Sequence, residues 1–300
     1  MTHKTRMAKE LLLLLFLSGL WGASYSFIKI GVETIPPITL IAARTLIASA
    51  ILVFVLYMRG LKLPRDGLIW RRFAFQACLN SVLPFTLIAW AERTVDAGLA
   101  TILNAASPIF TFLLTLLLTR HEAVTSRKLF GVVVGAMGIC LIVGMEAFTG
   151  VGKDAGAQLA ILVATVCYAG AAIFGRNFAG MDPMIPAAGS LFCGTMILIP
   201  ASIVFDHPWS LVPSPRSLSA LLALSVFSTA LALVIYFRLV QTLGAIGTTA
   251  QAYLRVPIGV TIGVLFLGET LTLTAWLGLA CVVAGVIAMT LPARNKAKEL

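Results

Sequence analysis

The residues of this chain best suited to chemistry form two groups of polar and aromatic side chains, each beside a proline inside a long apolar stretch. They are Asn104, Ser107 and Pro108 in Ala97–Thr119, and Tyr253, Arg255 and Pro257 in Ala245–Leu267. A proline within a helix donates no N–H and clashes with the carbonyl four residues earlier, which frees the carbonyls of Asn104 and Tyr253. In lipid a freed carbonyl needs a partner or a wet cavity, so these stretches predict a binding site inside a membrane, between the two helices.

The chemistry available there is recognition of a small amphipathic solute. Arg255 could pair with a carboxylate, or alternatively form a structural bond to a carbonyl freed by a proline. The freed carbonyls and amides could accept hydrogen bonds from an ammonium group, and aromatic faces could add cation–π attraction. The predicted substrate-binding residues are Trp21, Tyr25, Asn80, Pro84, Asn104, Ser107, Pro108, Tyr168, Tyr253, Arg255 and Pro257. Such a lining suits an amino acid with an aromatic or large hydrophobic side chain.

Three other positions carry unusual residues at membrane depth. Trp21 and Tyr25 are four apart and share a helix face, which favours cavity lining over an interfacial aromatic belt or plain core packing. Asn80 and Pro84 repeat the spacing of Asn104 and Pro108. Arg44 is a costly charge in a span, and we interpret it as structural, capping carbonyls or tethering loops within the bundle, with a functional role as the alternative.

The composition determines which elements position these residues. Of 300 residues, 59% are hydrophobic and 11% charged, and the mean hydropathy is +0.99, whereas soluble domains have roughly 25% charged residues. The pattern predicts an all-α integral membrane protein. Its ten transmembrane helices are expected at 10–30, 36–57, 72–91, 97–119, 128–146, 157–176, 185–205, 217–237, 245–267 and 274–291.

The charges predict the orientation of these helices. With both termini in the cytoplasm, sixteen lysines and arginines fall in cytoplasmic segments and three in outer segments, as the positive-inside rule requires. The net charge of +10 therefore reflects topology in the cell inner membrane rather than nucleic-acid binding. The first apolar run continues without a clear cleavage site, which predicts a retained helix rather than a signal peptide.

The second half of the chain repeats the first. A shift of 147 residues places Trp21 on Tyr168, Phe27 on Phe174, Lys29 on Arg176, Glu122 on Glu269, Gly131 on Gly278 and Gly138 on Gly285. Because each unit contains an odd number of helices, five, the second unit is expected to be inverted in the membrane. We therefore predict two inverted five-helix repeats, residues 1–150 and 151–300.

Taken together, these motifs resemble those of the drug/metabolite transporter superfamily, specifically its ten-helix EamA-like exporters of the aromatic amino-acid type. The motifs are Trp21-Gly22 with Phe27 and Lys29, Arg44, Ala97–Pro108, Leu243-Gly244-Ala245, Pro257 and Leu267-Gly268-Glu269. The resemblance implies a bundle with helices 1, 3, 4, 6, 8 and 9 around a central cavity. It also implies efflux of metabolites, amino acids or drugs. Arg255 departs from the pattern, because such families usually have an apolar residue there.

The expected function is a secondary transporter that exports small metabolites, amino acids or related amphipathic compounds, by alternating access. The sequence contains no phosphate-binding loop, hydrolase motif or metal-ligand cluster, so no enzyme activity, cofactor or metal is expected. A membrane-embedded enzyme, a lipid-modifying protein and a channel are the alternatives. The expected partners are a small-molecule substrate and the lipid bilayer, and a monomer suffices. All twelve acids are expected in loops or near helix ends, which predicts transport without obligatory coupling to protons or sodium.

Overall fold

The computed structural model describes residues 3–95, 97–104, 106–118, 125–143, 155–256, 258 and 273–290. The α-helices of these residues are α1 (His3–Gly31), α2 (Pro37–Met58), α3 (Gly67–Ala77), α4 (Leu83–Ala91), α5 (Ala97–Asn104), α6 (Ser107–Leu118), α7 (Ser126–Val143), α8 (Ala155–Phe174), α9 (Met184–Phe205), α10 (Pro215–Ser225), α11 (Ala232–Thr249) and α12 (Leu273–Thr290). Short 3₁₀ turns cover Gly175–Phe178 and Pro208–Ser210.

Six segments of the described residues are long and apolar enough to cross a membrane. They are Met7–Gly31, Pro37–Met58, Gly67–Ala91, Gly156–Phe178, Met184–Phe205 and Pro215–Thr249. They correspond to the first, second, third, sixth, seventh and eighth predicted helices. The third begins earlier than the predicted residue 72, because the carboxylate of Asp66 caps the helix by accepting from Leu68 N at 2.9 Å. An all-helical membrane architecture is thus confirmed.

The fourth predicted helix is broken near its proline. α5 ends at Asn104 and α6 begins at Ser107, so Pro108 lies in a first helical turn, where its missing N–H is tolerated. The Ser107 hydroxyl donates to the Asn104 carbonyl at 2.8 Å. The carbonyl predicted to be free for a ligand therefore has a partner within the chain.

Two π-helical segments widen the third and eighth helices. Cys78–Val82 joins α3 to α4 and Val226–Leu231 joins α10 to α11. In the first, Leu83 N donates to Cys78 O, so the turn just before Pro84 is loosened. In the second, the Ser228 carbonyl accepts from Trp21 Nε1 at 3.0 Å. π-Helical turns are frequent at functional sites because they free backbone groups and redirect side chains.

Gly244 separates the eighth predicted helix from the ninth. Its φ of 76° and ψ of 176° are non-helical and interrupt α11, and a side chain would strain this left-handed backbone. Helical residues continue through 251–256. Pro257 lies outside the described residues, as do Leu267, Gly268 and Glu269, so the second proline break stays a prediction.

Apolar side chains cover the outside of the bundle, and its interior holds polar side chains alongside an apolar core. α2 packs on α9, α4 and α6 on α8, α1 on α10 and α11, and α7 on α12. Large apolar side chains such as Phe54 (64% exposed) and Leu117 (77% exposed) face outwards, whereas Arg44, Gln76 and Asn80 are buried. An outer surface so rich in large apolar side chains fits a lipid surround.

Candidate functional site

A cavity lies in the interior between α1, α2, α4, α8 and the helical residues that follow α11. Its walls are formed by Trp21, Ser24, Tyr25, Ile28, Arg44, Phe85, Ile88, Tyr168 and Arg255. The lining combines aromatic and aliphatic surface with two guanidinium groups. The cavity volume is about 20 Å³, room for about one water molecule, so a metabolite enters only when the surrounding helices move apart.

Arg255 is held in the cavity wall by side chains from three helices. Its Nε donates to Gln251 Oε1 at 2.7 Å, and its Nη1 donates to Tyr25 Oη at 3.0 Å and Asn104 Oδ1 at 2.8 Å. The guanidinium carbon lies 5.1 Å from the centre of the Trp21 ring. These hydrogen bonds all go to side chains, so a bond to a proline-freed carbonyl is not what positions Arg255.

Arg44 lies across the same cavity. Its Nε donates to Thr229 Oγ1 at 2.6 Å, and its guanidinium carbon stacks 3.6 Å from the centre of the Phe85 ring. The bond to Thr229 and a longer one from Nη2 to the Ser228 carbonyl at 3.5 Å tie α2 to the π-helical segment before α11, and the structural role of Arg44 stays a prediction. Arg44 also lines the cavity, so its guanidinium group borders the space in which a ligand would bind.

A second, smaller cavity adjoins the first. Its walls are Trp21, Asn80, Ser107, Tyr168, Tyr236, Thr249, Gln251 and Arg255, so Trp21, Tyr168 and Arg255 separate the two spaces. Among the described residues, neither Asn80 Nδ2 nor the Tyr236 hydroxyl has a hydrogen-bond partner. This second lining draws on the first, third, fourth, sixth, eighth and ninth predicted helices, the set that the resemblance implies.

The structure brings most of the predicted site residues together. Trp21, Tyr25, Asn80, Ser107, Tyr168 and Arg255 line the two cavities. Asn104 contributes through its bond to Arg255. The Trp21 indole donates into the bundle, which is inconsistent with an interfacial belt. Pro84 and Pro108 lie at the first turns of α4 and α6 and so shape helices rather than the lining.

Tyr253 faces away from the cavities. Its hydroxyl donates to Val132 O at 3.2 Å, and its ring packs so tightly on Gly135 that a Cβ there would lie 2.5 Å from a ring carbon. The sequence predicted that Tyr253 faces the substrate, but in the structure Tyr253 packs against α7. The reason is rotation along the helix, because Tyr253 and Arg255, two residues apart, project about 200° apart.

Sequence reasoning missed several members of the lining. Phe85, Ile88 and Tyr236 are apolar or aromatic residues in apolar helices, so no local signal marks them. Gln251 offered a signal, because it stands four residues before Arg255 on the same helix face. The placement of Arg44 beside the cavity depends on helix rotation and had no sequence signal.

Two acids expected at exposed helix ends are buried instead. Glu10 is 3% exposed and pairs with Arg238 at 2.6 Å. Glu92 is 0% exposed, and neither of its carboxylate oxygens has a hydrogen-bond partner in the described part of the chain. Lys29 Nζ donates instead to the backbone carbonyls of Glu92 and Val95, at 2.8 Å and 3.0 Å. Glu92 lies at the helix end that the sequence predicted, whereas Glu10 lies inside α1, which begins at His3. The burial of both was not predicted, because it depends on neighbouring elements that cover these side chains.

Comparison with known proteins agrees with this architecture. The uncharacterized inner membrane transporter YedA of Escherichia coli strain K12 is 27% identical over 274 residues, covering 91% of this chain and 87% of its own. The uncharacterized transporter YoaV of Bacillus subtilis strain 168 is 23% identical over 286 residues, covering 95% and 97%. A solved crystal structure of a protein has the same fold, with a TM-score of 0.76 at 17% identity over 94% of this chain and 98% of that chain.

The family match extends over both halves of the chain. The model of the EamA-like transporter family matches residues 8–144 and again residues 155–291, two segments that begin 147 residues apart. The resemblance that the sequence motifs indicated is confirmed. The chain belongs to the EamA-like transporter family.

Proposed function

We propose that the protein is a secondary transporter that exports small amphipathic metabolites across the inner membrane by alternating access. Amino acids with aromatic or large hydrophobic side chains, and related amphipathic compounds that carry a carboxylate, are the proposed substrates. Membrane transport itself follows from the family and from relatives named as transporters. The resemblance to efflux carriers supports export as the proposed direction.

The observation that carries this proposal is the two-sided lining of the main cavity. Ile28, Phe85, Ile88 and Tyr168 supply apolar and aromatic surface, and Arg255 supplies a buried guanidinium for a carboxylate. A solute with one apolar and one acidic end satisfies both surfaces at once.

Alternating access is supported by the interruptions of the helices around the cavities. The π-helical segments Cys78–Val82 and Val226–Leu231 occupy nearly equivalent positions under the 147-residue offset of the two family matches. Interrupted helices at corresponding positions of two repeats are typical of carriers that rock around a central site. We propose accordingly that residues 1–150 and 151–300 are inverted five-helix repeats, with both termini in the cytoplasm.

Counterflow in proteoliposomes tests this function. Vesicles preloaded with unlabelled phenylalanine, leucine or tryptophan are expected to accumulate the labelled amino acid transiently, whereas vesicles without protein are not. Cells expressing the protein should also release more of the active solute into the medium. Absence of counterflow with every large hydrophobic amino acid, and with every corresponding carboxylic acid that lacks the amino group, would show that the substrate class is wrong.

The same measurement separates the alternatives. A channel gives flux without counterflow, because it does not exchange one bound solute for another. A membrane-embedded enzyme or lipid-modifying protein would chemically change the solute or the lipid. The described lining of the two cavities contains no carboxylate, histidine or cysteine, which disfavours acid–base or nucleophilic chemistry at this place.

A further inference from the structure

Two buried cations share the main cavity, and its described lining contains no acid. Arg44 is 2% exposed and Arg255 is 5% exposed, and both line the same space. The ion pairs among the described residues involve neither arginine. Like charges in a space of low effective dielectric repel each other strongly, and a buried charge needs compensation.

The side-chain acceptors beside the cavity already accept hydrogen bonds from a guanidinium group. Asn104 Oδ1, Tyr25 Oη and Gln251 Oε1 accept from Arg255. Two of the aromatic rings already face a cation, since Arg255 lies over the Trp21 ring and Arg44 over the Phe85 ring. A cationic group of a ligand would therefore compete with two guanidinium groups for the same partners.

The spare hydrogen-bonding groups around the two cavities include guanidinium and amide donors, besides the Tyr236 hydroxyl, which can donate or accept. A guanidinium has five N–H groups, and Nη2 of Arg255 and Nη1 of Arg44 donate to no acceptor within the part of the chain that the structure describes. In the adjoining cavity the buried amide nitrogen of Asn80 has no acceptor either. Spare donors and two buried positive charges in a lining without an acid are together the recognition pattern of an anion.

We propose that the preferred substrate is a net anion, an aryl or aliphatic carboxylate without an ammonium group, whose carboxylate is bound by Arg44 and Arg255 together. This inference rests on the proposed function and narrows its substrate class. The carboxylate neutralises the repulsion between the guanidinium groups, and the apolar body lies against Phe85, Ile88 and Tyr168. A zwitterionic amino acid brings the same carboxylate, but its ammonium meets two cations and occupied acceptors.

A matched series of three ligands tests the proposal on the unmodified protein. 3-Phenylpropanoate, phenylalanine and phenethylamine share the ring and differ in carrying the carboxylate alone, both charged groups, or the ammonium alone. Inhibition of counterflow should rank them in that order, with phenylpropanoate at least tenfold tighter than phenylalanine. Equal or tighter binding of phenylalanine overturns the anion proposal and leaves the proposed function in place.

A second pair keeps the two ideas separable when no aromatic ligand binds. In that case aromatic solutes are excluded as substrates. The relative binding of hexanoate and norleucine, which differ in the ammonium group, then tests the anion proposal. Preference for hexanoate supports it, and preference for norleucine or binding of neither overturns it.

Replacing each arginine by neutral glutamine tests whether the two arginines cause the preference for anions. Arg44→Gln and Arg255→Gln should each reduce the preference for the anion over its amino acid by about tenfold. Arg216→Gln is the matched control, because Arg216 is exposed and makes only a long ion pair with Glu33 at 3.9 Å. An unchanged preference in both cavity variants, with correctly folded protein, contradicts the assignment.

Discussion

At the scale of single residues, Arg255 combines a rigid position with free donor capacity. Its hydrogen bonds to Gln251, Tyr25 and Asn104 come from different parts of the chain, so the guanidinium is oriented before any ligand arrives. Preorganised charged donors bind carboxylates well because little side-chain entropy is lost on binding.

Substitution Arg255→Ala is expected to weaken ligands that carry a carboxylate but not their decarboxylated amines. Loss of a buried charge-assisted hydrogen bond costs about 2–3 kcal/mol, or about tenfold to hundredfold in affinity. Competition between each ligand and the labelled substrate in the counterflow assay measures this loss of affinity. Equal loss for acids and amines, or a protein that no longer folds, would remove the support for a substrate-binding role.

Glu92 is expected to make the stability of the protein depend on pH. It directly follows the span Gly67–Ala91, and burial raises the pKa of its carboxyl well above the ordinary value, against the opposing charges of Lys29 and Arg44. A pKa above the unfolded value of about 4.3 means that this group's stabilising contribution is present at low pH and lost as the pH rises towards the folded pKa. Glu92→Gln should therefore match the wild type near pH 4 and be more stable at pH 7–8. Thermal unfolding in detergent across this range checks it, and parallel curves for the two proteins would contradict it.

At the scale of helices, glycines set the closest approach. An added Cβ on Gly285 of α12 would lie 2.7 Å from Gly131 O and 2.9 Å from Gly135 N of α7. Gly131 and Gly135, one turn apart on α7, thus permit the close contact with α12.

Gly285→Ala should push α7 and α12 apart and destabilise the protein by about 1–3 kcal/mol, as overpacking does. Gly19→Ala is the matched control, because nothing lies within 4 Å of the added Cβ and alanine is the better helix former. Thermal unfolding in detergent distinguishes the two. A similar midpoint of thermal unfolding for both variants would show that α7 and α12 move apart without loss of stability.

The break between α5 and α6 gives a test of access to the site. Ser107 lines the second cavity, whereas the hydroxyl of Thr111, one turn further along α6, is bonded to the Ser107 carbonyl at 2.8 Å. In a background without native cysteines, Ser107→Cys should react with a small polar thiol reagent and be protected by substrate, whereas Thr111→Cys should not react. Inertness of Ser107→Cys in both inward- and outward-facing preparations would place the substrate path elsewhere.

At the scale of the whole molecule, the arrangement of charge bears on energy coupling. A proton-coupled carrier usually has an acid or histidine at its central site, and the described lining of both cavities contains neither. The two arginines also disfavour a cation nearby.

We therefore expect transport down the substrate's own gradient, without obligatory coupling to protons or sodium. The measurement is accumulation in proteoliposomes under an imposed pH or sodium gradient, with no substrate gradient. Sustained uphill accumulation abolished by the matching ionophore would refute uncoupled transport. Glu92→Gln would then test whether the buried outer carboxyl carries the proton.

The sequence by itself determined the features that depend on local interactions. Long apolar runs predict membrane helices, Pro108 predicts the break before α6, and Gly244 marks the backbone conformation that ends the eighth helix. These outcomes follow from hydropathy, from a missing N–H and from a missing Cβ, all of which act within a few residues of the chain.

Only the tertiary structure decided which side chains share the site. Arg44 meets Phe85 and lies across the cavity from Arg255, although more than 200 residues separate the two arginines. Tyr253 turns towards α7, and Glu92 becomes buried. Each outcome depends on the rotation and packing of helices distant in sequence. An apolar helix in lipid offers few polar residues to mark which face turns inwards, so the periodicity that reveals such a face in a soluble protein is weak here.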